Sequence, residues 1–167
     1  ERQKAEESLR LRLALGEIIA SLSTRLVSVA PRNIDDVLQG ALQEVRTLIG
    51  AEHVSMFQID EDANGLHLST LWSTRGPTPF PPGVSSISVR KLSTILGQLR
   101  QLKSVEVPSA RDLPPEATFE RNLMKERQFG AMLLVPFLLD KRTVGYIAFA
   151  FKDEKARWSK DIISLFK

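Results

Sequence analysis

Apolar positions along this chain change their period several times, and each change marks a new element. From residue 1 to about 29, Leu11, Leu15, Ile18, Leu22, Leu26 and Val29 recur at steps of four and three, with one imperfection at Arg25. That period predicts a long helix with an a/d seam. Leu9 and Leu13 fall on the opposite flank, and Ile19 widens the first stripe. An apolar surface that broad suits a helix with two neighbours, its own domain and a second copy of the chain. An amphipathic helix on a monomer is the simpler alternative.

Pro31 breaks this helix, and Asn33 is placed to cap the next one. Ile34, Val37, Leu38, Ala41, Leu42, Val45, Leu48 and Ile49 form a single stripe that ends at Gly50, a natural helix stop. The period then falls to two. Residues 52–60 and 66–73 predict paired strands around Asn64-Gly65, with Leu66, Leu68, Thr70 and Trp72 on one face. The loop GPTPFPPG (76–83) is stiffened by its prolines. A short strand at 84–89, a helix at about 91–102 and a strand at 104–107 follow. A further helix runs from about 115 to 128, with Pro115 in its first turn and Phe119, Leu123 and Met124 inward.

Two almost wholly apolar runs, 132–139 and 144–151, flank the polar turn 140–143. Such runs predict strands covered on both faces, and the short turn makes them antiparallel. Pro136 calls for a bulge or a local edge, and Gly145 for close backbone packing or a bulge. Ser159 is placed to cap a last helix, with Trp158 and Ile163 spaced as a hydrophobic staple and Trp158 buried. The predicted class is α+β, an α/β/α sandwich with a central antiparallel sheet of five or six strands. Residues 1–30 form a linker helix and 31–167 one domain, cut within its exit helix.

With 167 residues, 43% hydrophobic, the chain can bury a core of its own. The net charge of +3 is small and its basic residues are scattered, which leaves no footprint for nucleic acid. No apolar run is long enough to cross a bilayer, so no membrane contact is expected of this chain. Absence of cysteine removes disulfides, thiolate metal sites, a thiol nucleophile and thioether attachment of a cofactor. The two histidines, His53 and His67, fit structural roles better than haem or metal ligation. No nucleophile-elbow or phosphate-loop pattern supports catalysis. Asp60, Glu61 and Asp62 read as a solvated turn.

The segments VPSARDLP (107–114), LLVPF (133–137), VGYI (144–147) and RWS (157–159), in this order of elements, resemble the GAF domain of bacterial signalling proteins. The likeness spans about 34–166. The charged start, 1–10, is similar to linker helices that follow PAS domains. These are turn and core signals, informative about fold and silent about ligand. The resemblance implies a cytoplasmic, non-catalytic input module of a sensor histidine kinase or diguanylate cyclase. The a/d seam and surplus apolar positions of the first helix predict a homodimer, with Leu11, Leu15, Ile18, Leu22, Leu26 and Val29 at the interface.

Family members bind cyclic nucleotides, haem or bilins on one side of the sheet, and others serve as dimerisation units. This chain lacks the Asn-Lys…Phe…Asp-Glu pattern of the cyclic-nucleotide binders and any cysteine for covalent bilin. The elements that flank the family's cavity supply Trp72, Phe80, Leu92, Ile95, Phe119, Leu123, Met132, Tyr146 and Phe149, with Arg75, Arg90 and Arg111 as candidate rim cations. Those apolar residues could equally fill a core, and the ligand stays open.

Overall fold

The structure, a computed structural model, describes residues 2–28, 33–62, 65–74, 86–92, 97–99, 101 and 103–154. Phe80, Ile95, Val29, Arg75, the 76–83 loop, Asn64 and the exit helix with Trp158 and Ser159 lie outside them. The chain divides into two compact units, one with the first two helices and one with the sheet.

In the first unit, helix α1 (Arg2–Ser28) packs with α2 (Ile34–Ile49), and the Arg25 guanidinium pairs with Glu44 at 3.2 Å. Gly50 closes α2 in the left-handed region at φ 70°. Its amide and that of Ala51 then donate to the Thr47 and Arg46 carbonyls, satisfying two end groups of the helix. Asn33 does hold the N-cap position, but at ψ 7° its side chain makes no capping bond. A cap needs extended backbone there to aim its oxygen at the helix amides. On α1, Leu15 is only 4% exposed, and Leu11, Ile18, Leu22 and Leu26 are half-buried. The stripe expected at a dimer axis is therefore largely covered within one chain. The large apolar residues that α1 leaves open are Leu9, Leu13, Ile19 and Val27.

In the second unit, six strands are all paired antiparallel in the order β3-β2-β1-β6-β5-β4. They are β1 (His53–Asp62), β2 (Gly65–Ser73), β3 (Ser86–Ser88), β4 (Val105–Val107), β5 (Ala131–Leu139) and β6 (Arg142–Phe151). Ala131, Met132, Leu133, Leu134 and Val135 are all buried, so both faces of β5 are shielded, as its unbroken apolar run predicts. The β5–β6 turn is shorter than 140–143. Asp140 (φ 51°) and Lys141 (φ 62°) make it alone, with Leu139 already paired to Arg142. Two positive φ values mark a type I′ turn, whose twist matches that of the strands.

Pro136 faces Tyr146 in the β5–β6 ladder, beyond the three residues of β5 that β4 reaches. Its missing donor therefore costs no bond to β4. A register shift follows between Phe137 and Leu138. Gly145 lies where any Cβ would overlap the Phe57 carbonyl and the Phe137 ring, which is the close packing expected of it.

Helix α3 (Thr118–Arg127) is shorter than 115–128, and Pro115 belongs to the turn before it rather than to its first turn. A second bond set explains the delay. The Arg121 guanidinium donates to the Leu113 and Pro114 carbonyls at 2.9 and 3.0 Å, holding that segment as a turn. The expected helix at 91–102 is represented by a 3-10 turn, Val89–Leu92, and by helical residues 97–99. Thr143 of β6 donates to the Leu99 carbonyl at 3.2 Å.

Candidate functional site

Alternation along the strands sorts the side chains of the sheet onto two faces. Phe57 pairs with Tyr146, Leu134 with Val105 and Met132 with Val107, and all six belong to one buried cluster with Ile87 and Leu99. The Phe57 and Tyr146 rings lie 4.8 Å apart, tilted by 31°. Helix α3 closes over this cluster with Ala117 and Met124, each 1% exposed. Phe119 is half-buried against it, and Leu123 is half-buried on the same helix.

Of the nine expected lining residues, Met132, Tyr146 and Phe119 thus come together. Phe149 does not join them. It lies three residues from Tyr146 on an unbroken strand, so it occupies the other face, where it is 1% exposed. Trp72 also changes sides. It pairs with Met56, while Phe57 pairs with Thr70, because the β1–β2 register shifts between Met56 and Phe57. One extra residue in β2 reverses the alternation expected for Trp72. Leu92 stands in the 3-10 turn Val89–Leu92, its side chain outside the described set.

At the centre of the inward face of α3 stands a residue that no pattern announced. Glu120 lies three positions after Ala117 and four before Met124, on the helix face they share. It is 2% exposed, and among the described residues no other residue hydrogen-bonds either carboxylate oxygen. Burial holds its pKa above the ordinary carboxylate range, while its own amide and the Arg121 charge pull the other way. Tyr146 is buried, and both burial and the nearby Glu120 charge push its phenol up. In the sequence Glu120 looks like an ordinary acidic residue of a solvated helix face, and in the structure it stands in the first turn. The 117–120–124 spacing was the available signal, hidden because glutamate is polar.

Of the rim cations, Arg90 and Arg111 do not hydrogen-bond this carboxylate, and Arg75 lies outside the described residues. Arg90 is exposed, and the 82% exposed Arg111 side chain pairs with Glu154 at 2.6 Å. The Ser109 hydroxyl donates to the same carboxylate at 2.8 Å and accepts the Arg111 amide. Those bonds, with the Arg111 charge, lower the pKa of Glu154. The arrangement joins the segment after β4 to the residues after β6.

His53 is buried against the Phe129 ring, 5.6 Å between centroids, and its Nδ1 lies 3.4 Å from the Thr74 hydroxyl. Among the described residues no three His, Cys, Asp or Glu side chains converge as metal ligands, and no helix is long and apolar enough to cross a membrane. An open groove along α1 is bordered by Gln3, Glu6, Glu7, Leu9, Arg10 and Leu13. All six come from one helix, which gives the groove no convergent polar set.

Solved structures share this architecture at low identity. A phycoerythrobilin-bound GAF domain of a cyanobacterial phytochrome is 12% identical and aligns over 92% of this chain and 89% of its own, with TM-score 0.69. The GAF domain of a phosphoenolpyruvate-protein phosphotransferase from Coxiella burnetii is 14% identical, covering 92% and 86%, with TM-score 0.65. A domain described as part of a two-component sensor histidine kinase from Sinorhizobium meliloti is 13% identical, covering 79% and 82%, with TM-score 0.58. No curated protein matches the sequence. Residues 33–167 match the GAF domain family, in agreement with the antiparallel sheet and its helices. The chain belongs to the GAF domain family.

Proposed function

We propose that this GAF domain is a non-catalytic sensory module of a multidomain, cytoplasmic signal-transduction protein. It couples occupancy of the α3-covered sheet face to its flanking helices and an output domain of histidine kinase or diguanylate cyclase type. Regulatory sensing is the usual work of the family. The observation that carries the ligand-sensing form of this reading is Glu120. A buried carboxylate to which no other described residue donates stands on the helix face shared by Ala117 and Met124, which packs in the apolar cluster of Tyr146, Phe57 and Met132. A polar group inside an apolar face is the usual anchor of a small-molecule site.

The test is a thermal-shift screen of small aromatic, nucleotide and tetrapyrrole ligands, followed by mapping of hits onto Tyr146 and Phe57 by NMR. Hits that perturb those rings support sensing. A second reading, a structural dimerisation and relay module, draws on the same cluster, since the Phe57 and Tyr146 rings already pack on each other. A screen without hits would favour it.

In either reading α1 pairs with its counterpart in a second copy. The surface best suited to this is Leu9, Leu13, Gly16, Ala20 and Val27, all exposed and spaced by four, three, four and seven. Such spacing is a heptad seam, and Gly16 and Ala20 allow close approach. Packed helix pairs have discrete arrangements, which a bound ligand can bias.

A further inference from the structure

We infer that Glu120 anchors a ligand bearing a cationic, N–H-rich nitrogen group on a planar apolar body, seated between α3 and the sheet face at Tyr146. This deepens the sensory reading and rests on it. The argument begins from what the folded chain leaves undone. Both Glu120 oxygens are buried, and together they offer about four acceptor sites to which no other described residue donates. Leaving a charged group in that state is strongly unfavourable, since burial removes its water and no described donor replaces it. An apolar residue would continue the Ala117–Met124 stripe at no such cost.

The cation nearest in sequence is engaged elsewhere. Arg121 spends its guanidinium on the Leu113 and Pro114 carbonyls. The charge that acts on Glu120 is that of Arg121, on its own helix, and Glu120 in turn acts on Tyr146, on β6. Neither hydrogen-bonds its oxygens.

The chemistry of the occupant follows from the surroundings. A metal ion would need more donors than one carboxylate, and no ligating triad exists among the described residues. A phosphate or carboxylate would meet the like charge of Glu120. A protonated or N–H-bearing nitrogen group satisfies both oxygens at once, as a guanidinium does for a carboxylate. The rings of Tyr146 and Phe57, with Phe119 on the helix turn beside Glu120, favour a planar body and add ring-face attraction for a cation.

The experiment uses the 167-residue chain and three isosteric probes: benzamidine, benzamide and benzoate. Affinities are measured by calorimetry, and the Glu120 side chain is followed through its carboxyl carbon-13 signal. Benzamidine is expected to bind, to perturb the Tyr146 and Phe57 ring signals, and to lower the pH at which the Glu120 carboxyl titrates. Benzamide should bind at least tenfold more weakly and benzoate not at all. Glu120→Gln, an isostere, should keep the fold and weaken benzamidine at least tenfold. Equal binding of benzamide, or benzamidine binding insensitive to Glu120→Gln, overturns the inference. If the broader screen still yields ligands on this face, sensing survives that outcome. Absence of binding by all three probes at millimolar concentration also overturns it, and a blank broader screen would remove sensing as well.

Discussion

The Ser109 hydroxyl donates to the Glu154 carboxylate across 2.8 Å, bridging residues 45 positions apart. One side chain therefore joins the turn after β4 to the end of β6, and Arg111 reinforces it. Glu154 is held below the ordinary carboxylate range by these bonds. A depressed acid contributes stability above its unfolded pKa and loses it as pH falls through its folded pKa. Ser109→Ala should move the Glu154 titration upward toward the ordinary range, read by carbon-13 NMR. An unchanged titration would show that the bond does not form in solution.

Glu120 has the opposite sign. Its folded pKa is raised, so the folded chain binds the proton more tightly than the unfolded chain. This contribution to stability is fully present at acid pH and declines as pH rises from the ordinary carboxylate range through the folded pKa. Glu120→Leu should stabilise the protein at neutral pH by about 1–3 kcal/mol and remove this slope. Urea denaturation across pH checks both, and a less stable variant would contradict the account.

Gly145→Ala should lose about 2–3 kcal/mol or fail to fold, because the new methyl group meets the Phe57 backbone and not a movable side chain alone. Thermal unfolding decides. A near-neutral effect would mean that β1 and β6 can separate there.

Lys141→Gly should gain about 0.5–1 kcal/mol, since Lys141 sits at φ 62° in a type I′ turn. Part of the relief is offset by the greater freedom of glycine in the unfolded chain. A loss of stability in chemical denaturation would show that the Lys141 side chain has a further role.

On α1 the exposures separate two classes of substitution. Leu9→Asp with Leu13→Asp should leave a folded monomer, as these side chains are 58% and 61% exposed. Leu15→Asp should instead unfold the helical unit, by placing a charge at a 4% exposed position. Light scattering and circular dichroism read the two outcomes. A wild-type chain that stays monomeric at high micromolar concentration rejects pairing by this helix alone.

Periodicity, with cap and turn residues, determined the class and most of the elements. Runs such as 132–139 and 144–151 admit only a buried antiparallel hairpin, and Gly50 closes its helix through the left-handed region, which glycine enters without the Cβ penalty of other residues. Turn and core motifs were enough to point to the family, because they record backbone constraints. Only the tertiary structure decided what faces what. One extra residue in β2 sends Trp72 to the other side of the sheet, and no local pattern reveals a bulge that depends on the partner strand. The broad apolar surface of α1 divides into a covered and an open stripe only once α1 and its surroundings are in place. Glu120 is the clearest case. Its polarity argues for solvent, yet the helix phase set by Ala117 and Met124 turns it inward, and packing around the helix outweighs the preference of one side chain.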